Sequence, residues 1–126
     1  MSEPVWVSRQ VLELLHGESL REHGGADGLR DSGLLDSALA RAQNICAYEA
    51  VDDVFRLAAA YAFGIAKNHP FVDGNKRAGF IAAGLFLRLN GARLKADKAE
   101  AAMAVFDLAA GEITELQFAE WLRKNA

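Results

Sequence analysis

HPFVDGNKRAGFIAAGLFLRLN, residues 69 to 90, decides the fold of this chain. After a proline and the turn-forming DGN, an apolar run rich in alanine and glycine extends from residue 78 to residue 87. Such a run is typical of a helix buried at the centre of a bundle, so we predict a central helix over residues 75 to 90. Gly79 and Gly84 each cost about 1 kcal/mol of helix stability relative to alanine, which indicates close packing against neighbouring helices.

The segments on either side also have helical periodicity, and no series of strands is apparent. Pro70 ends the helix before the quoted stretch and favours an extended backbone at His69. We therefore predict an all-α fold, a compact bundle of about six helices in a single domain of residues 1–126. The other five helices are expected to begin after Ser8 (with Val11, Leu14 and Leu15 as its apolar positions), at Asp31 or Ser32 (ending near Asn44, with Tyr48 and Glu49 in the connection), at Asp52 or Asp53, and at two capping boxes, Asp97 with Glu100 and Thr114 with Gln117.

The composition is that of an ordinary soluble globular protein. The 126 residues include 14 basic and 17 acidic side chains, a net charge of −3, so no overall positive field favours nucleic acid or an anionic membrane. The N-terminus lacks the pattern of a signal peptide, and no apolar run reaches the roughly 20 residues of a membrane span. We expect a cytoplasmic protein with no membrane partner and no direct nucleic-acid partner.

The loop in residues 69 to 77 carries the groups expected of a catalytic site. His69 is the only group there whose ordinary pKa suits removal of a proton from a hydroxyl at neutral pH. Asp73 can hold a magnesium ion through one carboxylate, with phosphate oxygens and water as the other ligands. Phe71 is expected to anchor the loop in the core.

The turn that follows is expected to bind an anion. Gly74 lets the backbone approach a ligand, and the free N–H groups of Asn75, Lys76 and Arg77 point out of the start of the helix. Two cations at a helix N-terminus are unfavourable unless a negative group binds there, and a phosphate would relieve that repulsion. Considered alone, a plain helix-to-helix turn with solvated cations is the simpler interpretation. The base, the carboxylate and the anion site together favour a catalytic one.

These residues also resemble a known family. H-P-F-V-D-G-N-K-R matches the signature of the Fic superfamily, and the asparagine–lysine–arginine ending matches its death-on-curing (Doc) branch. The likeness extends over nearly the whole chain, because Doc proteins are similar in length, are all-helical, and carry a glycine-rich segment like GGADGLRDSG, residues 24–33, after the first helix. The residues that fit the signature spacing are His69, Phe71, Asp73, Asn75, Lys76 and Arg77.

The resemblance implies a role for each of these residues. His69 would be the catalytic base, Asp73 the Mg²⁺ ligand, and Arg77 a catalytic contact to the phosphates of ATP. The remaining assignments are Gly74, Asn75 and Lys76 as the turn that holds the phosphates, Phe71 as a structural residue, and residues 24–33 as a flap that aligns the target protein.

Two positions depart from the broader Fic pattern. Lys76 stands where many Fic proteins have a second glycine, and Phe80 where many have a second arginine. A glycine would admit the α-phosphate for transfer of adenylate, whereas a lysine fills that space. The Doc branch is accordingly associated with transfer of the γ-phosphate to a serine or threonine, and this is the reaction we expect.

The resemblance further implies a toxin of a type II toxin–antitoxin system. Its partners would be a Phd-like antitoxin and a protein target, the elongation factor that delivers aminoacyl-tRNA, so that the reaction arrests translation. Adenylate transfer and a catalytically silent Fic-like binding domain stay open as alternatives, and a helix-turn-helix DNA-binding protein is disfavoured by the charge. His16 and His23 are interpreted as surface or helix-end residues.

Overall fold

The computed structural model describes residues 3–126, which form six α-helices. The only β-type pairing among these residues is a single antiparallel bridge between Leu29 and Phe71, so the predicted all-α bundle of about six helices is confirmed. None of the six helices is both long enough and apolar enough to cross a bilayer. The helices are α1 (Arg9–His23), α2 (Ser32–Glu49), α3 (Val54–Asn68), α4 (Asn75–Leu89), α5 (Lys98–Ala110) and α6 (Glu115–Lys124).

The core of the bundle is built around α3. Nine of its 15 residues are buried, and it packs against α2, α4, α5 and α6. Seven of the 15 residues of α4 are buried, and this helix packs against α1, α3 and α5. The helix that follows the quoted loop is therefore central, as predicted, although α3 is enclosed more completely. Both helices that flank the loop are thus held firmly by the core.

Two glycines allow the backbones of these helices to approach closely. A Cβ atom added at Gly79 of α4 would lie 3.0 Å from the backbone oxygen of Ala62 in α3. One added at Gly64 of α3 would lie 3.2 Å from the Cα of Ala38 in α2. Gly84 is different, because the nearest atom to its Cβ position is a side-chain carbon 4.0 Å away. The prediction of close packing is confirmed for Gly79 and wrong for Gly84.

Most of the predicted helix starts are confirmed. Asp31 and Asp53 accept hydrogen bonds from backbone N–H groups of α2 and α3, and Thr114 forms a complete capping box with Gln117. The capping box predicted at Asp97 is wrong, because that side chain accepts no capping hydrogen bond. The predicted end of α2 is also wrong: the helix continues to Glu49, so Tyr48 and Glu49 belong to its last turn, and a left-handed Ala50 ends it. No glycine or proline lies between Asn44 and Glu49 to stop the helix earlier.

The buried face of α1 differs from the apolar positions expected. Val11 and Leu14 are 42% and 60% exposed, whereas Leu12 and Leu20 are buried, with Ser19 beside them. His16 lies on the same face and is only 3% exposed, so its interpretation as a surface residue is wrong. The residues Leu12, His16 and Leu20 recur every four positions, which is the spacing of one helix face.

Tyr61 fixes the N-terminal segment to the centre of α3. Its ring is fully buried against Phe86, and its hydroxyl oxygen accepts a hydrogen bond of 3.1 Å from the backbone N–H of Val7. Burial raises the pKa of the Tyr61 hydroxyl above its ordinary value, because the charged phenolate would lie away from water. The folded state therefore favours the neutral, protonated form of this side chain.

Candidate active site

His69 lies where α3 ends, in a conformation that the sequence did not predict. Its φ and ψ angles are 49° and 54°, in the left-handed region, and not the extended backbone expected before Pro70. The reason is that His69 is the C-cap of α3 and donates its N–H to the oxygen of Ile65 at 3.1 Å, which reverses the chain into the loop. A non-glycine residue in this region costs about 1–3 kcal/mol, so surrounding contacts must hold it there. The imidazole is exposed.

Asn75, the first residue of α4, organises the loop from inside. It is 5% exposed; its side-chain oxygen accepts from the N–H of Phe71 at 2.9 Å, and its Nδ2 donates to the oxygen of Phe71 at 3.0 Å. The same Nδ2 lies 3.3 Å from Nδ1 of His69. The two bonds to Phe71 fix the orientation of the Asn75 amide, so its Nδ2 faces both the oxygen of Phe71 and the imidazole of His69. Phe71 is itself 3% exposed, as expected of an anchor in the core.

The N-terminus of α4 has the features of an anion site. Gly74 is its N-cap in a left-handed conformation, no side chain caps the free N–H groups, and the first turn contains no acidic residue. Lys76 and Arg77 are exposed, and within residues 3–126 neither forms an ion pair with a carboxylate. The positive end of the helix dipole and two full charges therefore coincide, as the sequence predicted.

Asp73 joins the start of α4 to the glycine-rich segment of residues 24–33, here called the flap. Its Oδ1 accepts from the N–H of Gly74 at 2.8 Å, and its Oδ2 accepts from the N–H of Ala26 at 3.2 Å. Each carboxylate oxygen keeps a further lone pair that could bind a cation. Across the part of the chain that the structure describes, no three His, Cys, Asp or Glu side chains form a metal cluster. Because each of its oxygens keeps a lone pair, the Asp73 carboxylate fits a metal that is shared with a phosphate, for which one carboxylate suffices.

The flap is paired with the loop along its length. The N–H of Val72 donates to Gly28 at 3.0 Å, and the N–H groups of Arg30 and Asp31 donate to the oxygen of Pro70 at 2.7 and 3.0 Å. These bonds surround the bridge between Leu29 and Phe71 described above. Although every residue of the flap from 24 to 33 is exposed, its backbone is therefore fixed beside His69.

A family model agrees with this arrangement. The model of the Fic/DOC family matches residues 6–87, a span that contains the flap, α3, the loop and nearly all of α4. The chain belongs to the Fic/DOC family. Two relatives place it in the Doc branch. "Protein kinase doc" of Escherichia phage P1 is 36% identical over 118 residues, covering 94% of this chain and 93% of that protein. "Toxin Doc" of Mycolicibacterium smegmatis is 45% identical over 75 residues, covering 59% of this chain and 58% of that protein.

His16 of α1 contacts the loop of residues 69–74 from the core side, and sequence reasoning missed this residue. Nε2 of His16 lies 2.8 Å from the backbone oxygen of Asp73, so this nitrogen carries a hydrogen and donates it. The His16 ring also stacks on Phe71, with centroids 3.9 Å apart. A Cβ at Gly74 would lie 3.1 Å from the same Nε2, so only glycine fits this contact without a shift. The four-residue spacing with Leu12 and Leu20 was the available signal.

Arg30 is the second residue that sequence reasoning missed. From the flap, its Nε donates to the backbone oxygen of His69 at 2.6 Å, and its Nη2 donates to the oxygen of Asn68 at 2.8 Å. The structure thus brings together the predicted site residues His69, Asp73 and Asn75 with the N–H groups that begin α4. It adds His16 and Arg30 as their supports. No local pattern identifies Arg30, because its partners lie almost 40 residues along the chain.

Proposed function

We propose that this chain is a Doc-type protein kinase and the toxin of a type II toxin–antitoxin system, and that it transfers the γ-phosphate of ATP to a serine or threonine of a target protein. The observation that carries this proposal is the N-terminus of α4, which no side chain caps. Lys76 and Arg77 lie there close to His69 and Asp73, and within residues 3–126 neither of the two cations forms an ion pair. A phosphate bound there would relieve the repulsion between these positive groups. Such a transfer depends on positioning and charge stabilisation rather than on covalent catalysis.

In this proposal each residue of the loop has one task. The N–H groups of residues 75–77 and the Lys76 charge hold the phosphates, and Arg77 makes a bidentate contact to them. Asp73 would hold Mg²⁺, which neutralises phosphate charge when bound. The target hydroxyl oxygen forms a bond to the γ-phosphorus, the bond to the β,γ-bridging oxygen breaks, and ADP leaves with that electron pair. His69 takes the hydroxyl proton.

Lys76 selects which phosphate is attacked. Its side chain extends from the first turn of α4 toward α5, where Nζ lies 5.8 Å from the centre of the Phe106 ring. A glycine there would leave room for an α-phosphate against the backbone, so adenylate transfer is the second candidate reaction. The presence of lysine favours transfer of the γ-phosphate.

For the target, we propose the elongation factor that delivers aminoacyl-tRNA, modified in the cytoplasm so that translation stops. For the antitoxin, we propose a Phd-like protein whose C-terminal segment folds into the apolar groove of about 700 Å³ between α1, α4 and α5. Leu15, Phe80, Ile81 and Val105 supply apolar walls of this groove. Because Lys76 and Arg77 line the same groove, a segment bound there would also cover the phosphate site.

The experiment that tests the reaction uses ATP labelled separately at the α- and γ-phosphates. The protein is incubated with each label and with purified elongation factor or cell lysate. We expect the γ-label to be transferred, and His69→Ala to abolish both transfer and growth arrest. Lys76→Ala should weaken ATP binding, whereas Lys124→Ala, at the distant end of α6, should not.

Each other result has a defined meaning. Transfer of the α-label would replace the proposal with adenylate transfer. Target binding without transfer of either label, unchanged by Asp73→Ala, would support a silent binding domain. Full activity of His69→Ala would remove His69 as the base.

A further inference from the structure

The backbone of His69 is in a conformation that local sequence opposes. It is left-handed, with φ of 49°, and it precedes a proline, which favours an extended residue at this position. The N–H of His69 donates to the oxygen of Ile65, and in the part of the chain that the structure describes Nδ1 contacts only the Nδ2 of Asn75, at 3.3 Å. These contacts alone leave the carbonyl of His69 free to rotate with ψ.

The guanidinium of Arg30 donates a hydrogen bond to that carbonyl oxygen. Its two bonds, 2.6 Å to the oxygen of His69 and 2.8 Å to the oxygen of Asn68, span the last two carbonyls at the end of α3. Both accept from one planar group, so the peptide between Asn68 and His69 and the carbonyl of His69 are held in one relative orientation. A cation at the C-terminal end of a helix is also stabilised by the helix dipole.

The backbone of Arg30 is fixed independently of its side chain. Its N–H donates to Pro70 at 2.7 Å, and the neighbouring Asp31 caps α2 through Leu34. The guanidinium therefore reaches His69 from a backbone position that is fixed just before the start of α2. Lifting the flap from the loop, or changing the side chain, would break the contact.

We propose that Arg30 is a positioning residue that holds His69 in the left-handed conformation needed for catalysis, so that docking of the flap sets the orientation of the base. This inference rests on the proposed role of His69 as the base. It gives the flap a function besides aligning the target: a partner that lifts the flap releases His69 and lowers the rate without occupying the phosphate site.

The test compares Arg30→Ala and Arg30→Lys with the parent protein and with Arg93→Ala, which alters an exposed arginine beyond α4. We expect Arg30→Ala to lower kcat by roughly tenfold to 100-fold, because a displacement of about 1 Å in a catalytic group has effects of that size. The KM for ATP should change less than about twofold, since Arg30 is absent from the start of α4. Arg30→Lys keeps the charge but cannot bind both carbonyls, so its kcat should lie between that of Arg30→Ala and that of the parent protein.

Two further measurements separate positioning from simple stabilisation. Millimolar guanidinium ion should restore part of kcat to Arg30→Ala and have no effect on Arg93→Ala. NMR of isotope-labelled histidine, with His69 assigned by its loss in His69→Ala, should show a changed His69 signal in Arg30→Ala and unchanged signals from His16.

The outcomes are distinct. Unchanged kcat and an unchanged His69 signal in Arg30→Ala would overturn the inference. If Arg30→Ala melts at a lower temperature but has the parent's kcat while it is folded, Arg30 has a structural role and the inference is wrong. If Arg30→Ala does not fold, Arg30→Lys decides between these results. If the parent protein transfers no phosphate, the proposed function fails, while the NMR comparison still reports whether Arg30 holds His69.

Discussion

The contact between α3 and α4 predicts opposite effects for one substitution at two positions of the same helix. Gly79→Ala adds a Cβ atom 3.0 Å from the backbone oxygen of Ala62, 3.4 Å from its Cα and 3.6 Å from its carbonyl carbon. These are backbone atoms of the most buried helix, so no side chain can rotate away. Gly84→Ala adds the same atom where the nearest neighbour, a side-chain carbon of Leu94, is 4.0 Å away.

The magnitude follows from two opposing terms. Alanine stabilises a helix interior by about 1 kcal/mol relative to glycine. Overpacking a tight core contact costs about 1–3 kcal/mol, and the immobile backbone at Ala62 places Gly79→Ala at the upper end. We therefore expect a net loss of about 1–2 kcal/mol for Gly79→Ala. At Gly84 only the first term applies, and we expect a gain of up to about 1 kcal/mol.

Urea unfolding followed by far-UV circular dichroism measures both effects. The midpoint should fall for Gly79→Ala and rise for Gly84→Ala, with the slope against urea unchanged in both. Lys76 and Arg77 lie three and two residues before Gly79, so displacement of α4 by the added Cβ should also weaken ATP binding by this variant. Equal stabilisation by the two substitutions would refute the reasoning, because it would mean that the helices separate at no cost.

Three other predictions concern single contacts. Tyr61→Phe should lower stability at neutral pH by about 1–2 kcal/mol, since Val7 loses its acceptor. The pKa of Tyr61 is raised in the folded state, so its contribution to the free energy of unfolding is fully present below the unfolded pKa of about 10. That contribution is lost as the pH rises through the folded pKa. The free energy of unfolding should therefore fall less at alkaline pH for Tyr61→Phe than for the parent. Thr114→Ala should lower the free energy of unfolding by about 1 kcal/mol in a thermal melt, and Asp97→Ala by less than about half of that, because the Thr114 side chain caps its helix and the Asp97 side chain does not. Equal losses would contradict this. His16→Ala, which removes the ring stack and the bond to the loop, should cost about 2–4 kcal/mol in urea and raise the KM for ATP, whereas an unchanged KM would separate His16 from the phosphate site.

Helix starts were easier to predict than helix ends or buried faces. Asp53 and Thr114 cap their helices through N–H groups two or three residues away, so a short sequence contains the whole interaction. The end of α2 was missed because nothing in its sequence stops a helix before Ala50, whose left-handed conformation follows from where the chain must turn. The buried face of α1 was missed because it contains the polar residues His16 and Ser19, whereas Val11 and Leu14, two apolar residues of this helix, face solvent.

The candidate site divides in the same way. Residues 69 to 77 contain, within nine positions, the proposed base, the carboxylate and the cations at a helix start, and the geometry of a helix N-terminus makes them neighbours in any fold that keeps α4. The sequence by itself therefore determined the candidate anion site, its position on a central helix and the resemblance to the Doc branch. Only the tertiary structure decided how His69 is held. Its backbone conformation opposes the local preference before a proline, and it persists because Arg30, 39 residues earlier, and Asn75, six residues later, bind it from elements that the core fixes. The support of Asp73 by His16, 57 residues away, was decided in the same way. Contacts between residues so far apart in the chain depend on how the helices pack, which no local pattern specifies.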